Sequence, residues 1–157
     1  MTHPIFRSAA LVCCLIAPAA FAQNVSVQGA WARATVQGQK ATGAFMTLTA
    51  KADSTLVGVS TSVAGVAQIH EMKMDGNVMQ MRALPEGLAL PAGKAVSLRA
   101  GSYHLMLMDL KLPLQKDSSI PLTLRFKDAK GAESSLDIKV PVAQTAPAGK
   151  EHQHGDH

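Results

Sequence analysis

Between residues 25 and 140 the chain divides into short apolar or alternating segments of five to eight residues, each closed by a turn signal. None carries the 3.6-residue periodicity of an amphipathic helix. A chain written this way cannot build a core from packed helices. It has to pair its strands and close them face to face, so the expected fold is an all-β sandwich or barrel of short, mainly antiparallel strands. Nine strands are expected, over residues 25–32, 44–50, 55–60, 67–74, 78–83, 95–99, 104–110, 120–126 and 134–140. Gln37-Gly38, Asp75-Gly76, Pro85-Glu86-Gly87, Pro91-Ala92-Gly93 and Lys130-Gly131 are among the turns between them.

The ends of the chain read differently. Residues 1–22 have the three parts of a secretory leader: Arg7 as a small positive start, an apolar run over 9–20, and Ala20-Phe21-Ala22 as a cleavage signal before Gln23. The apolar run is too short for a permanent membrane anchor. Neither Cys13 nor Cys14 follows the small-residue triplet of a lipidation box, and both leave with the leader. The expected mature protein is therefore periplasmic, unanchored and free of cysteine. Residues 23–143 suffice for one domain with one core, expected to be a monomer, and residues 144–157 form a polar, flexible tail. Without Arg7 the chain carries 14 basic and 11 acidic residues, a net +3. Its basic residues are scattered and its aromatics few, so nucleic-acid binding has no support.

The chemistry is concentrated in two stretches that span three of the expected strands. Residues 70–81 and 104–108 hold all but two of the eight methionines and, leader and tail apart, every histidine. Thioether sulfur is a poor ligand for hard cations and a good one for Cu(I), and imidazole serves copper in either oxidation state. In an oxidising compartment methionine also escapes the disulfide chemistry that would consume cysteine donors. If Asp75-Gly76 is a two-residue turn, Met74 pairs with Asn77, Met72 with Met79, and His70 with Met81. Period-two alternation then sets His70, Met72, Met74, Met79 and Met81 on one face, and His104, Met106 and Met108 on one face of their own strand. Two donors from each unit make a site of two imidazoles and two thioethers. Met46, Met72, Met79 and Met108 are expected to be packing residues, as are Trp31 and Tyr103, whereas Met74 suits either a supporting donor or an exposed position.

His70, Met81 and His104-Leu105-Met106 resemble the motif H-x10-M-x21-H-x-M of the periplasmic PCu(A)C copper chaperones. The middle spacing here is 22 residues, the extra one assigned to the turn-like segment 83–87. The likeness extends to Ala30-Trp31-Ala32-Arg33-Ala34, Leu90-Pro91-Ala92-Gly93 and the residues around His104, so it covers most of the domain. It implies a cupredoxin-like β-sandwich and a Cu(I) site of His70, Met81, His104 and Met106. It also implies a histidine-bearing tail, with His152, His154 and His157, able to take Cu(II). The partner it implies is a copper acceptor, such as the dinuclear centre in the second subunit of a respiratory terminal oxidase. The alternatives are a sequestration protein with no dedicated acceptor and a redox cuproenzyme, the absence of cysteine arguing against a blue-copper centre. Residues 70–74 begin like the H-E-x-x-H motif of zinc proteases, but Met74 stands where the second histidine is needed and the segment reads as a strand. The expectation is a carrier and not an enzyme.

Overall fold

A computed structural model describes residues 24–148, so the leader and the tail histidines lie outside the described residues. Ten strands are present and, among these residues, no helix. In chain order they are β1 (Val25–Arg33), β2 (Ala41–Ala50), β3 (Ser54–Ser60), β4 (Ala64–Asp75), β5 (Val78–Ala83), β6 (Leu88–Leu90), β7 (Ala95–Leu98), β8 (His104–Leu110), β9 (Ser119–Asp128) and β10 (Glu133–Ala143). The nine expected strands all form. The tenth, β6, has only three residues between Gly87 and Pro91, too few for alternation to be read from the sequence.

The strands run in the order β5-β4-β8-β2-β1-β10-β9-β3-β6, with β7 also paired to β2. All pairings are antiparallel except the short β1–β10 contact at Ala32↔Val142 and Arg33↔Ala143. The sheet folds over on itself, and the inner faces of its two halves close on one core. Leu48, Leu105 and Leu107 from one half meet Leu56, Leu122, Leu124 and Val140 from the other, all fully buried. Burying each of these side chains contributes roughly 1.5–3 kcal/mol, and that is what fixes which face of each strand turns inward. Met46 belongs to this core, as expected.

The same alternation decides what faces outward. On β8, Leu105 and Leu107 point into the core, so His104 and Met106 stand on the opposite face. A bulge in β1 between Gln28 and Trp31 shifts its pairing with β2 by one residue and sets Trp31 opposite Phe45. Their rings stack at 4.9 Å between centroids, on the same outward face.

One expectation about register is corrected. The β4–β5 turn is Gly76-Asn77, not Asp75-Gly76: Asp75 pairs with Val78, Met74 with Met79, Met72 with Met81, and His70 with Ala83. Gly76 has φ +62° while Asn77 does not take a positive φ, the pattern of a type II′ turn, whose first central position needs glycine. A I′ turn at Asp75-Gly76 would have required a positive φ at Asp75 as well. The register therefore moves by two residues, which preserves the face of every side chain but separates His70 from Met81 by one rung.

Candidate metal centre

The four residues singled out by the sequence come from three strands that lie side by side. β8 is central, with β4 on one flank, and β5 pairs with β4 at the sheet edge. His70 sits directly opposite His104 across the β4–β8 ladder, with ring centroids 5.8 Å apart and planes inclined at 59°. Met106 follows two residues after His104 on the same face, and Met81 reaches over from β5.

The two imidazoles are held by backbone and side-chain acceptors in ways that fix their tautomers. His104 Nδ1 lies 3.1 Å from the Ser102 carbonyl, which can only accept, so Nδ1 carries the proton and Nε2 holds a lone pair. That lone pair points at the sulfur of Met81, 3.1 Å away. Two lone-pair donors facing each other form no hydrogen bond; they form a bite. A tetrahedral ion with bonds of about 2.0 Å to nitrogen and about 2.3 Å to sulfur holds such a pair roughly 3.5 Å apart, so a small opening seats one. His70 Nε2 lies 2.9 Å from Gln68 Oε1, again an acceptor, which leaves Nδ1 as the lone-pair nitrogen. Nδ1 is buried and has no partner. A buried polar atom without a partner is costly in a folded protein unless something else satisfies it.

Both histidines are buried, each 7 % exposed. For His70 this burial, with the neighbouring His104 as the lesser cause, holds the imidazole pKa below its ordinary 6.5. The neutral, metal-binding form therefore persists to lower pH. Met81, by contrast, is 48 % exposed and Met106 half-buried. Met81, His104 and Met106 share an open cleft of about 290 Å3, with Met72, Phe45, Gly43 and Arg33 also on its wall. His70 backs this cleft from beside His104 and does not line it. A Cβ on Gly43 would stand 2.7 Å from Phe45 Cζ, so glycine is what lets the Phe45 ring lie along β2 toward His104, at 6.5 Å between centroids. The Arg33 guanidinium lies over that ring, 5.6 Å from its centroid.

Among the described residues no group of three or more His, Cys, Asp or Glu could hold a metal ion. The donors beside the two imidazoles are thioethers, which suit soft cations better than zinc, magnesium or calcium. Two expectations for the surrounding methionines are corrected. Met79 is 49 % exposed and packs no core, and Met72 is half-buried but turned to the cleft. Their packing role was inferred from apolar strand character, but the β4–β5 ribbon extends past the core, with every β5 residue exposed. Sequence reasoning also missed Gln68 and Ser102, which orient the two rings. Each stands two residues before its histidine, and for Gln68 the strand alternation alone put it on the right face.

The fold is that of solved PCuAC domains. The PCuAC domain of PmoF1 in its apo form matches over 76% of this chain and 95% of that one, at 22% identity and a TM-score of 0.58. The Cu(I) form of DR1885 from Deinococcus radiodurans is 31% identical, over 80% of this chain and 82% of that one, with a TM-score of 0.62. Its apo form matches over 92% of this chain and 96% of that one, at 30% identity and a TM-score of 0.59. By sequence, residues 25–151 match the family model described as "Putative lipoprotein LpqE-like". The chain belongs to this LpqE-like family. A relative, "Putative lipoprotein Lxx21020" of Leifsonia xyli subsp. xyli, is 32% identical over 136 residues, 87% of this chain and 80% of that protein.

Proposed function

We propose that this protein is an exported copper carrier, which holds one Cu(I) through His70, Met81, His104 and Met106 and passes it to an acceptor protein. The observation that carries the reading is the presence of two imidazole nitrogens with unshared lone pairs on adjacent, facing rings beside a thioether cluster. His104 Nε2 faces Met81 sulfur at 3.1 Å, and buried His70 Nδ1, in the ring opposite, has no partner. Four neutral donors, two of them thioethers, suit a monovalent soft ion. The likeness to the Cu(I) form of DR1885 supports the same cargo, and kinship with proteins described as lipoproteins supports export.

Transfer follows from the unequal exposure of the donors. Met81 is half in solvent while the two histidines are buried, so an incoming ligand displaces the Met81 thioether first and the imidazoles hold the ion until it is shared. The acceptor we propose is a copper centre of a respiratory terminal oxidase. The tail, residues 144–157, serves in this reading as a Cu(II) collector through His152, His154 and His157. In support, residues 144–148 line a cleft together with Trp31, Arg33, Phe45 and Ala100, and the last three of these also wall the metal cleft. The tail thus leaves the domain beside the site.

Anaerobic Cu(I) titration of wild type, Met81→Leu and Met106→Leu tests the ligand set, because leucine keeps volume and removes the donor. Weakened binding with an unchanged fold is the expected result, and unchanged affinity in both variants contradicts the assignment. Incubating the loaded protein with a purified oxidase copper domain separates a carrier, which gives up its ion, from a protein that only sequesters it.

A further inference from the structure

The β4–β5 ribbon carries more sulfur than one four-donor site uses. Its two successive rungs are Met72↔Met81 and Met74↔Met79, so all four positions on one face of the ribbon are methionine. The other face holds the Glu71–Arg82 ion pair, Lys73 and Gln80. The outer rung is open to solvent, Met74 at 55 % and Met79 at 49 %, whereas the inner rung lines the cleft. Packing does not account for the outer rung. A surface meant only to be greasy has no need of sulfur, yet neither rung contains Leu, Ile or Val.

We propose that Met72, Met74 and Met79 form a second, outer site for a monovalent soft cation, Cu(I), from which the ion moves one rung inward to Met81 and the histidines. Directly opposed side chains on a ribbon have Cβ atoms about 4.5–5.5 Å apart, and the diagonal neighbour, about 7–8 Å away, is within reach of a long side chain. The three rotatable bonds of methionine let three sulfurs close on one ion from these positions. With no charged or nitrogen donor on this face beyond the inner rung, the site takes Cu(I) and excludes Cu(II) and zinc. Movement between the sites is ligand exchange, one thioether replacing another with no change in oxidation state. The inward destination rests on the carrier reading above; the outer site itself does not.

The test uses the full mature chain with 13C-labelled methionine methyl groups, titrated anaerobically with Cu(I). The first equivalent should shift the Met81 and Met106 methyl signals and the second those of Met74 and Met79. In the Met74→Leu/Met79→Leu variant the second shift should be lost and the first retained. Leucine at two solvent-exposed positions leaves the core untouched, so loss of the fold does not cloud the result. Met74 and Met79 signals that stay fixed through two equivalents would overturn the outer site. A first equivalent that fails to move Met81 and Met106 overturns the carrier site instead, and the Met74 and Met79 signals still decide the outer one.

Discussion

Two groups that are not among the proposed ligands, one side chain and one backbone carbonyl, set the orientation of both imidazoles. Gln68 and the Ser102 carbonyl each take the proton-bearing nitrogen of a histidine and leave the other nitrogen bare. Gln68→Ala removes the acceptor from His70 and frees its ring to rotate or change tautomer. Groups that orient metal-binding histidines in this way are typically worth 10- to 100-fold in affinity, so Cu(I) should bind about tenfold more weakly to this variant, measured by competition with a chromophoric chelator. The burial of His70 has its own consequence for the metal-free protein. Its folded pKa lies below 6.5, so the unfolded state binds the extra proton more readily and stability rises with pH across this window. Denaturant midpoints of the metal-free domain should be flat above about pH 7.5 and fall as the pH drops below 6.5. Replacing His70 with Asn, which does not titrate, should remove its part of that fall.

At the level of single elements, most of this structure was legible in the sequence because two rules act together: alternation sets the face, and turn residues set the ends. The outward face of β8 was readable since Leu105 and Leu107 had to be buried. The β4–β5 pairing was misread because Asp75-Gly76 and Gly76-Asn77 are both acceptable turn dipeptides, and only the backbone conformation at Gly76 decides between them. The exposure of β5 was not readable, since methionine is equally at home in a core and nothing local reveals that the sheet edge outruns the core beneath it. Gly76 therefore controls where Met81 lies. Gly76→Val puts a β-branched residue at φ +62°, a strain on the order of 1–2 kcal/mol. It should speed amide exchange throughout β4 residues 72–75 and β5 and weaken Cu(I) binding, with little change at β9 and β10. Gly43→Ala acts elsewhere on the same site: the added methyl displaces the Phe45 ring and should cost about 1–3 kcal/mol in stability, read from denaturant unfolding.

For the molecule as a whole, the sandwich supplies a rigid wall and the corner supplies the chemistry. The core on β8 ties one to the other: Leu105 is fully buried between His104 and Met106, and Leu105→Ala should destabilise the domain by about 2–5 kcal/mol and loosen the site with it. The proposal that the tail histidines collect Cu(II) carries its own test. Truncation after Ala148 should abolish Cu(II) uptake near neutral pH and leave Cu(I) affinity intact, whereas undiminished Cu(II) binding would reduce the tail to a solvated end. The central claim, a Cu(I) ion shared between two imidazoles and two thioethers, is tested most directly by X-ray absorption at the copper edge on the protein loaded anaerobically with one equivalent. The account predicts a Cu(I) edge with nitrogen and sulfur scatterers in equal number, and loss of one sulfur in Met81→Leu. A shell of nitrogen and oxygen alone, or a Cu(II) edge that persists under reducing conditions, would contradict it.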